Sequence, residues 1–346
     1  MKTRVVCGAC MVLVVLATAS LFPGHAQKAA SRRASRREAS AQVGATEAGP
    51  DLPSIPDEGT RFNPLKIALL KWSLFDTARA VTVGNQPYGV CFDGANIWTA
   101  NFGDTTVTKV RASDGRVLGT FNAGPGPFGV VFDGANIWAS LVTNAVAKLR
   151  ASDGKLLGTF PVGNTPEWMT FDGQNVWVAN GADNTVTKLR AADGKTMGTF
   201  TVGTAPFAAA FDGANVWTAN TGAGTVTKLR ASDGNVLGSF AVGVNPIGIA
   251  FDGAHIWVAN RNSNTVTELR ASDGAVLNTI PVNADGPYGI AFDGAYIWVS
   301  GDSNLDVLRA SDGAVVASHQ LQSEGIAFDG AYVWTAVQGG NILFRF

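Results

Sequence analysis

Cysteine and histidine are scarce: three of each in 346 residues. Cys7 and Cys10 fall in an apolar N-terminal stretch that reads as a removable export signal, which leaves Cys91 alone and rules out an intrachain disulfide. Cys91 sits where other copies of the repeat below carry Val, Thr or Ala, so it reads as a buried apolar substitute rather than a reactive thiol. His25 lies in the signal, His255 in a D-G-A-H turn and His319 late in the chain, none of them inside a catalytic motif. There is no G-x-S-x-G elbow, no H-E-x-x-H, no paired CxxC and no Walker loop, so hydrolase, zinc and nucleotide chemistry have no anchor. Charge is low at 15%, with 26 Lys and Arg against 27 Asp and Glu, and such a balance excludes nucleic acid as a partner.

Glycine, by contrast, is plentiful at 41 residues, and it comes in a pattern. The phrase F-D-G-x-x-[IV]-W begins at Phe92, Phe132, Phe171, Phe211, Phe251, Phe292 and Phe328, at intervals of 40, 39, 40, 40, 41 and 36 residues. A period near 40 with strand patterns, Gly punctuation and no helical stripe marks a radial β array. One unit holds P-Y-G-V-C-F, I-W-T-A-N, T-V-T-K-V-R and R-V-L-G-T-F, with Asp-Gly supplying the positive φ that tight hairpins need. Four such strands pair as an antiparallel meander that cannot bury both faces alone, and a ring of seven leaves only short edges. The seventh repeat stops at Phe346 without a fourth strand, while Thr77-Ala-Arg-Ala-Val-Thr-Val-Gly84 matches that missing strand. The expectation is an all-β, seven-bladed β-propeller of four-stranded antiparallel blades over 76–346, its last blade closed by the N-terminal strand.

Upstream, Lys2, Arg4, the apolar run Val5 to Phe22 and Gly24-His25-Ala26 predict a signal peptide over 1–26 and a secreted or periplasmic, cell-envelope location. An uncleaved anchor is the alternative; no transmembrane span is expected beyond this segment. Residues 27–60, rich in Ala, Ser, Arg and Pro, read as a disordered tether. Over 61–75, Asn63-Pro64 reads as a helix start before Leu65, Ile67, Leu69, Leu70, Trp72 and Leu74, predicting a short helix packed on the ring.

Repetition separates scaffold from site: what every blade carries is explained by building a blade. Trp98, Trp138, Trp177, Trp217, Trp257, Trp298 and Trp334 are assigned to gaps between blades. The F-D-G aspartates, Asp93 to Asp329, are assigned to their own turns. Arg111, Arg150, Arg190, Arg230, Arg270 and Arg309, each three residues before an Asp, are assigned to structural ion pairs. Variation concentrates on the face formed by the loops before the first strand and between the second and third. There the aligned positions read Tyr88, Phe128, Glu167, Phe207, Ile247, Tyr288 and Glu324, with Trp168 beside Glu167. The second loop set adds Phe102 and Asp104, Leu141 and Val142, Asp183 and Asn184, Arg261 and Asn262, and Asp302. Tyr88, Phe102, Phe128, Glu167, Trp168, Phe207, Arg261, Tyr288 and Glu324 form the candidate binding face; it reads either as a ligand pocket or as a greasy funnel under the 65–75 helix. No catalytic residue is assigned. Glu167 and Glu324 are the best acid/base or metal-ligand candidates, and a divalent cation is the only cofactor entertained.

The segment V-W-V-A-N-G-A-D-N-T-V-T-K-L, Val176 to Leu189, resembles the YVTN repeat of secreted and surface-layer propellers, and the resemblance covers all seven blades. Its asparagine recurs at Asn101, Asn180, Asn220 and Asn260 and is replaced at Leu141, Gly301 and Val337. The wider group includes NHL-repeat binding propellers, gluconolactonase-like metalloenzymes and virginiamycin B lyase-like proteins. The lyase resemblance implies magnesium-assisted opening of a cyclic depsipeptide with a histidine base, for which this sequence has no matching histidine. The gluconolactonase resemblance implies a divalent metal held by Glu, Asn and Asp, of which Glu167 or Glu324 matches one ligand. The expected function is a secreted scaffold for a protein, peptide or glycan ligand; the alternatives are a metal-dependent lyase or lactonase and a purely structural envelope component.

Overall fold

The computed structural model describes residues 79–346; the signal, tether and 61–75 helix expectations lie outside the described residues. Seven four-stranded antiparallel sheets succeed one another along the chain, each a simple meander. Blade one is Pro87–Phe92, Asn96–Asn101, Thr106–Arg111 and Val117–Asn122, and blades two to six repeat it. Blade seven takes Ile326–Phe328, Val333–Val337 and Ile342–Arg345 from one end of the chain and Arg79–Thr82 from the other, with Val81 opposite Leu343. The ring is therefore closed by backbone hydrogen bonds, as the sequence predicted. Among the described residues no helix is long and apolar enough to cross a membrane.

The F-D-G turn shows why the phrase repeats. Asp93 Oδ1 accepts the backbone N–H groups of Ala95 and Asn96, and its Oδ2 accepts the indole N–H of Trp98 at 2.8 Å. The same Asp–Trp bond, at 2.7–2.8 Å, recurs in all seven blades. Gly94 follows at φ +95°, a conformation that a side chain would strain. Each tryptophan, anchored by its polar edge, lies buried between blades. Trp98 and Val107 of blade one share a core cluster with Val130, Ile137 and Leu149 of blade two. Cys91 packs against that cluster, and burial, then the Asp93 charge, pushes its thiol pKa up, as suits an apolar filler.

A second device locks neighbouring blades. Lys109, Lys148, Lys188 and Lys228 each place Nζ over their own blade's tryptophan ring, 4.9–5.2 Å from its centre. Each then donates to an alanine carbonyl in the next blade's A-S-D-G-type turn, at 2.6–2.7 Å. Arg345 does the same from blade seven to Ala112 of blade one at 3.1 Å. Blade six carries Val307 at this place, because the outer strand of blade seven is Arg79–Thr82 and no such turn joins it to Ile342–Arg345. Blade five carries Glu268, which instead accepts from Asn278 at 2.6 Å.

Candidate binding face at the channel mouth

The face is built by a break in the innermost strand. In blade one its pairing with the second strand slips between Pro87 and Val90, and blades two to five slip at the matching proline. A bulge releases residues from the ladder and re-aims them. The residue after the proline is the variable one, Tyr88 in blade one and Phe128, Glu167, Phe207 and Ile247 in the next four. Next comes a glycine at 89, 129, 248, 289 and 325. A Cβ on Gly89 would lie 2.5 Å from the Phe128 carbonyl oxygen, and one on Gly289 2.5 Å from that of Glu324. Glycine thus lets adjacent innermost strands touch, and the variable side chains crowd together at the mouth. Blade four has Ala208 at this place and blade three Trp168, which adds an indole to the mouth that no other blade has.

The rings meet across the channel axis. Tyr88 lies 4.7 Å from Phe128 and 5.6 Å from Phe102; Phe128 reaches Phe207, two blades on, at 5.9 Å. Phe207 meets Tyr288 edge-on at 5.7 Å, and Trp168 of blade three meets Tyr288 of blade six at 6.1 Å. Edge-to-face contacts at these separations are favourable pairings. The mouth therefore has an aromatic floor in which Phe128 and Phe207 each meet three other rings.

Polar groups surround this floor. The Arg261 guanidinium, in the short 3-10 turn Arg261–Ser263, sits over the Tyr288 ring at 5.4 Å and is held by both oxygens of Asp302, at 2.7 and 3.0 Å. Gln338 donates to the Tyr88 hydroxyl at 3.0 Å. Trp168 Nε1 is buried without an acceptor. Among the described residues, neither the Glu167 nor the Glu324 carboxylate accepts a hydrogen bond or forms an ion pair, although Glu324 is only 6% exposed. Burial pushes both carboxyl pKa values up to about 7; for Glu324 the Arg261 charge pulls the other way and Asp302 adds to the rise. Burial, and then the charges of Glu324, Tyr88 and Glu167, raise the Tyr288 phenol well above its usual value against the pull of Arg261.

All nine residues of the sequence-derived face thus lie at one mouth. The flanking loop residues divide. Asp104 and Asp183 are tied to the backbone N–H groups of Asn85 and Asn164, both at 2.7 Å, and serve the loops themselves. Leu141 is core, whereas Val142 is exposed. Gln338 and the Arg261–Asp302 pairing were missed by sequence reasoning, because their partners lie 250 and 41 residues away. The repeated asparagines prove structural: Asn180 donates to Thr185 and Thr187 and accepts from the Gly163 N–H.

Among the described residues no three His, Cys, Asp or Glu side chains group as metal ligands, and the charged neighbours of Glu324 are Arg261 and Asp302. Neither described histidine reaches the mouth. His255 contacts Asp252 at 3.2 Å on the opposite, turn-bearing face, and His319, on the outer strand of blade six, stacks on Trp298. A cleft also opens on the turn face, but Lys148, Lys188, Asn175 and Arg190, which line it, belong to the repeated scaffold.

No protein-family model and no curated protein matches the sequence. Among solved structures, Kuenenia stuttgartiensis hydrazine synthase superposes with a TM-score of 0.69 at 17% identity, over 77% of this chain and 96% of that one. A streptogramin B lyase superposes with a TM-score of 0.68 at 17% identity over 78% and 96%. A catalytically inactive histidine-to-alanine virginiamycin B lyase from Staphylococcus aureus, solved with quinupristin, gives 0.67 at 16% identity over 78% and 98%. The likeness is one of fold. It agrees with the virginiamycin B lyase-like, seven-bladed architecture that the repeat implied. Proteins named for hydrazine synthesis and for streptogramin cleavage share that architecture, so function must be argued from the mouth.

Proposed function

We propose that this chain is a secreted binding propeller that takes its ligand at the aromatic mouth. The observation that carries the reading is the convergence on one surface of side chains from all seven blades, at positions where the blades differ. The half-buried Glu167 carboxylate, the buried Glu324 carboxylate and an indole N–H there lack partners. Folding buries groups in this state at a cost, and a ligand that satisfies them recovers it. Export through the 1–26 signal and attachment of the ring to a 27–60 tether would place the mouth outside the cell membrane. Metal-dependent lyase or lactonase activity is the second reading. The lyase neighbours favour it, while the mouth offers neither a histidine nor a ligand set among the described residues.

Trp168→Gly restores the residue that five other blades carry and removes the indole. On peptide and glycan arrays the wild-type full chain should retain at least one ligand that this variant loses while it keeps the folded β-rich circular dichroism spectrum. Identical retention by both proteins, or turnover of lactones and cyclic depsipeptides that Glu167→Gln and Glu324→Gln abolish, would overturn the binding reading.

A further inference from the structure

The two faces of the ring differ in charge. Residues 80–346 contain fifteen Lys and Arg, and fourteen of them lie toward the turn face. They are the inter-blade lysines with Arg345, the arginines paired with turn aspartates, and Arg116, Lys155 and Lys195 beside those turns. Arg261 alone stands at the mouth, and Asp302 already neutralises it. The mouth side carries seven acids: Asp104, Glu167, Asp183, Asp285, Asp302, Glu324 and Asp306, whose Oδ2 accepts the Asn283 and Ala284 backbone N–H groups. Asp104 and Asp183 are occupied by backbone N–H groups, and Asp285 by the Asn264 side-chain amide. Glu167 and Glu324 remain without a donor, and both lie close enough to Tyr288 for their charges to act on its phenol.

Resting on the binding reading above, we infer that the mouth recognises an organic cation, an ammonium or guanidinium on an apolar stem such as an arginine or lysine side chain of a peptide. The face of an aromatic ring attracts a cation, and a carboxylate in poor contact with water binds one more strongly than an exposed carboxylate does. Arg261 over Tyr288 shows this surface already holding one guanidinium. A neutral ligand would leave both carboxylates unpaired, and an anion would meet them as like charges.

Titration calorimetry of the full chain with N-acetylarginine amide and its neutral isostere N-acetylcitrulline amide tests the inference. Near pH 8 the arginine compound should bind at least about tenfold more tightly, which is about 1.4 kcal/mol. The preference should fall toward unity in the Glu167→Gln, Glu324→Gln double variant, and should survive in Asp183→Asn, which changes charge on the same face away from the floor. It should also weaken near pH 5.5. Glu167 faces Tyr288, while Glu324 faces Tyr288, Arg261 and Asp302, and both are largely protonated there because their pKa values lie at about 7. Equal binding of the two compounds, no binding of either, or an undiminished preference in the double variant overturns the cation assignment. If an array ligand is still lost by Trp168→Gly, the binding reading stands without it.

Discussion

Each F-D-G aspartate meets three needs with one carboxylate: it closes its turn, caps the next strand and satisfies a buried indole. For Asp212, burial alone would raise the carboxyl pKa, but bonds from the Trp217 indole, the Ala214 and Asn215 N–H groups and the Asn215 amide hold it below the usual range. Asp212→Ala leaves the indole N–H of a fully buried tryptophan unpaired and should cost about 1–3 kcal/mol in chemical denaturation. A loss no larger than that of an exposed control substitution would remove the aspartate from this role. The mouth glutamates behave oppositely. Their folded pKa values of about 7 exceed the unfolded value of 4.5, so the penalty is absent below pH 4.5 and grows as pH rises through 7. Glu324→Gln should therefore stabilise the ligand-free protein near pH 8 by roughly 1–3 kcal/mol and leave it unchanged near pH 4. Equal effects at both pH values would show that Glu324 is not held charged against its surroundings.

At the scale of strands and blades, the lysine from one blade to the turn of the next explains a feature that the repeat alone did not. Nothing local to T-V-T-K-V-R marks Lys109 for this bond; its acceptor, Ala151, lies 42 residues away, so the pairing appears only once blades are adjacent. Lys188→Met keeps the stem and removes the bond to Ala231 and the charge over Trp177. It should lower stability by about 1–3 kcal/mol, measured by urea denaturation, whereas Val307→Met in blade six, where no such bond exists, should move it far less. Comparable losses at the two sites would contradict the inter-blade role. The same contrast marks how far the sequence could be read. Strand number, turn chemistry and the face on which the variable residues meet were legible because each follows from local pattern: the Asp-Gly turns, the period and the residue after the proline. Contacts such as Phe128 to Phe207 and Trp168 to Tyr288 were not, because they depend on where the bulges aim side chains from blades that are not neighbours.

For the whole molecule, two properties follow from closing a ring with a strand from the far end of the chain. The first is a stability that depends on that closure. Val81 is buried in a cluster with Leu343, Ile97 and Val110, so Val81→Asp should loosen blades seven and one together and lower the melting temperature of the entire ring. Unchanged melting would mean that Arg79–Thr82 is not needed to hold the ring. The second is polarity between the faces: bases and inter-blade locks toward the turns, aromatic rings and unpaired acids at the mouth. The central claim is that ligand is taken at the mouth, and hydrogen–deuterium exchange of the full chain, with and without N-acetylarginine amide, tests it most directly. The account predicts slowed exchange confined to peptides covering 164–168, 204–208, 261–264, 285–289 and 322–325. Protection on the turn face or the outer strands, with these segments unaffected, would contradict it.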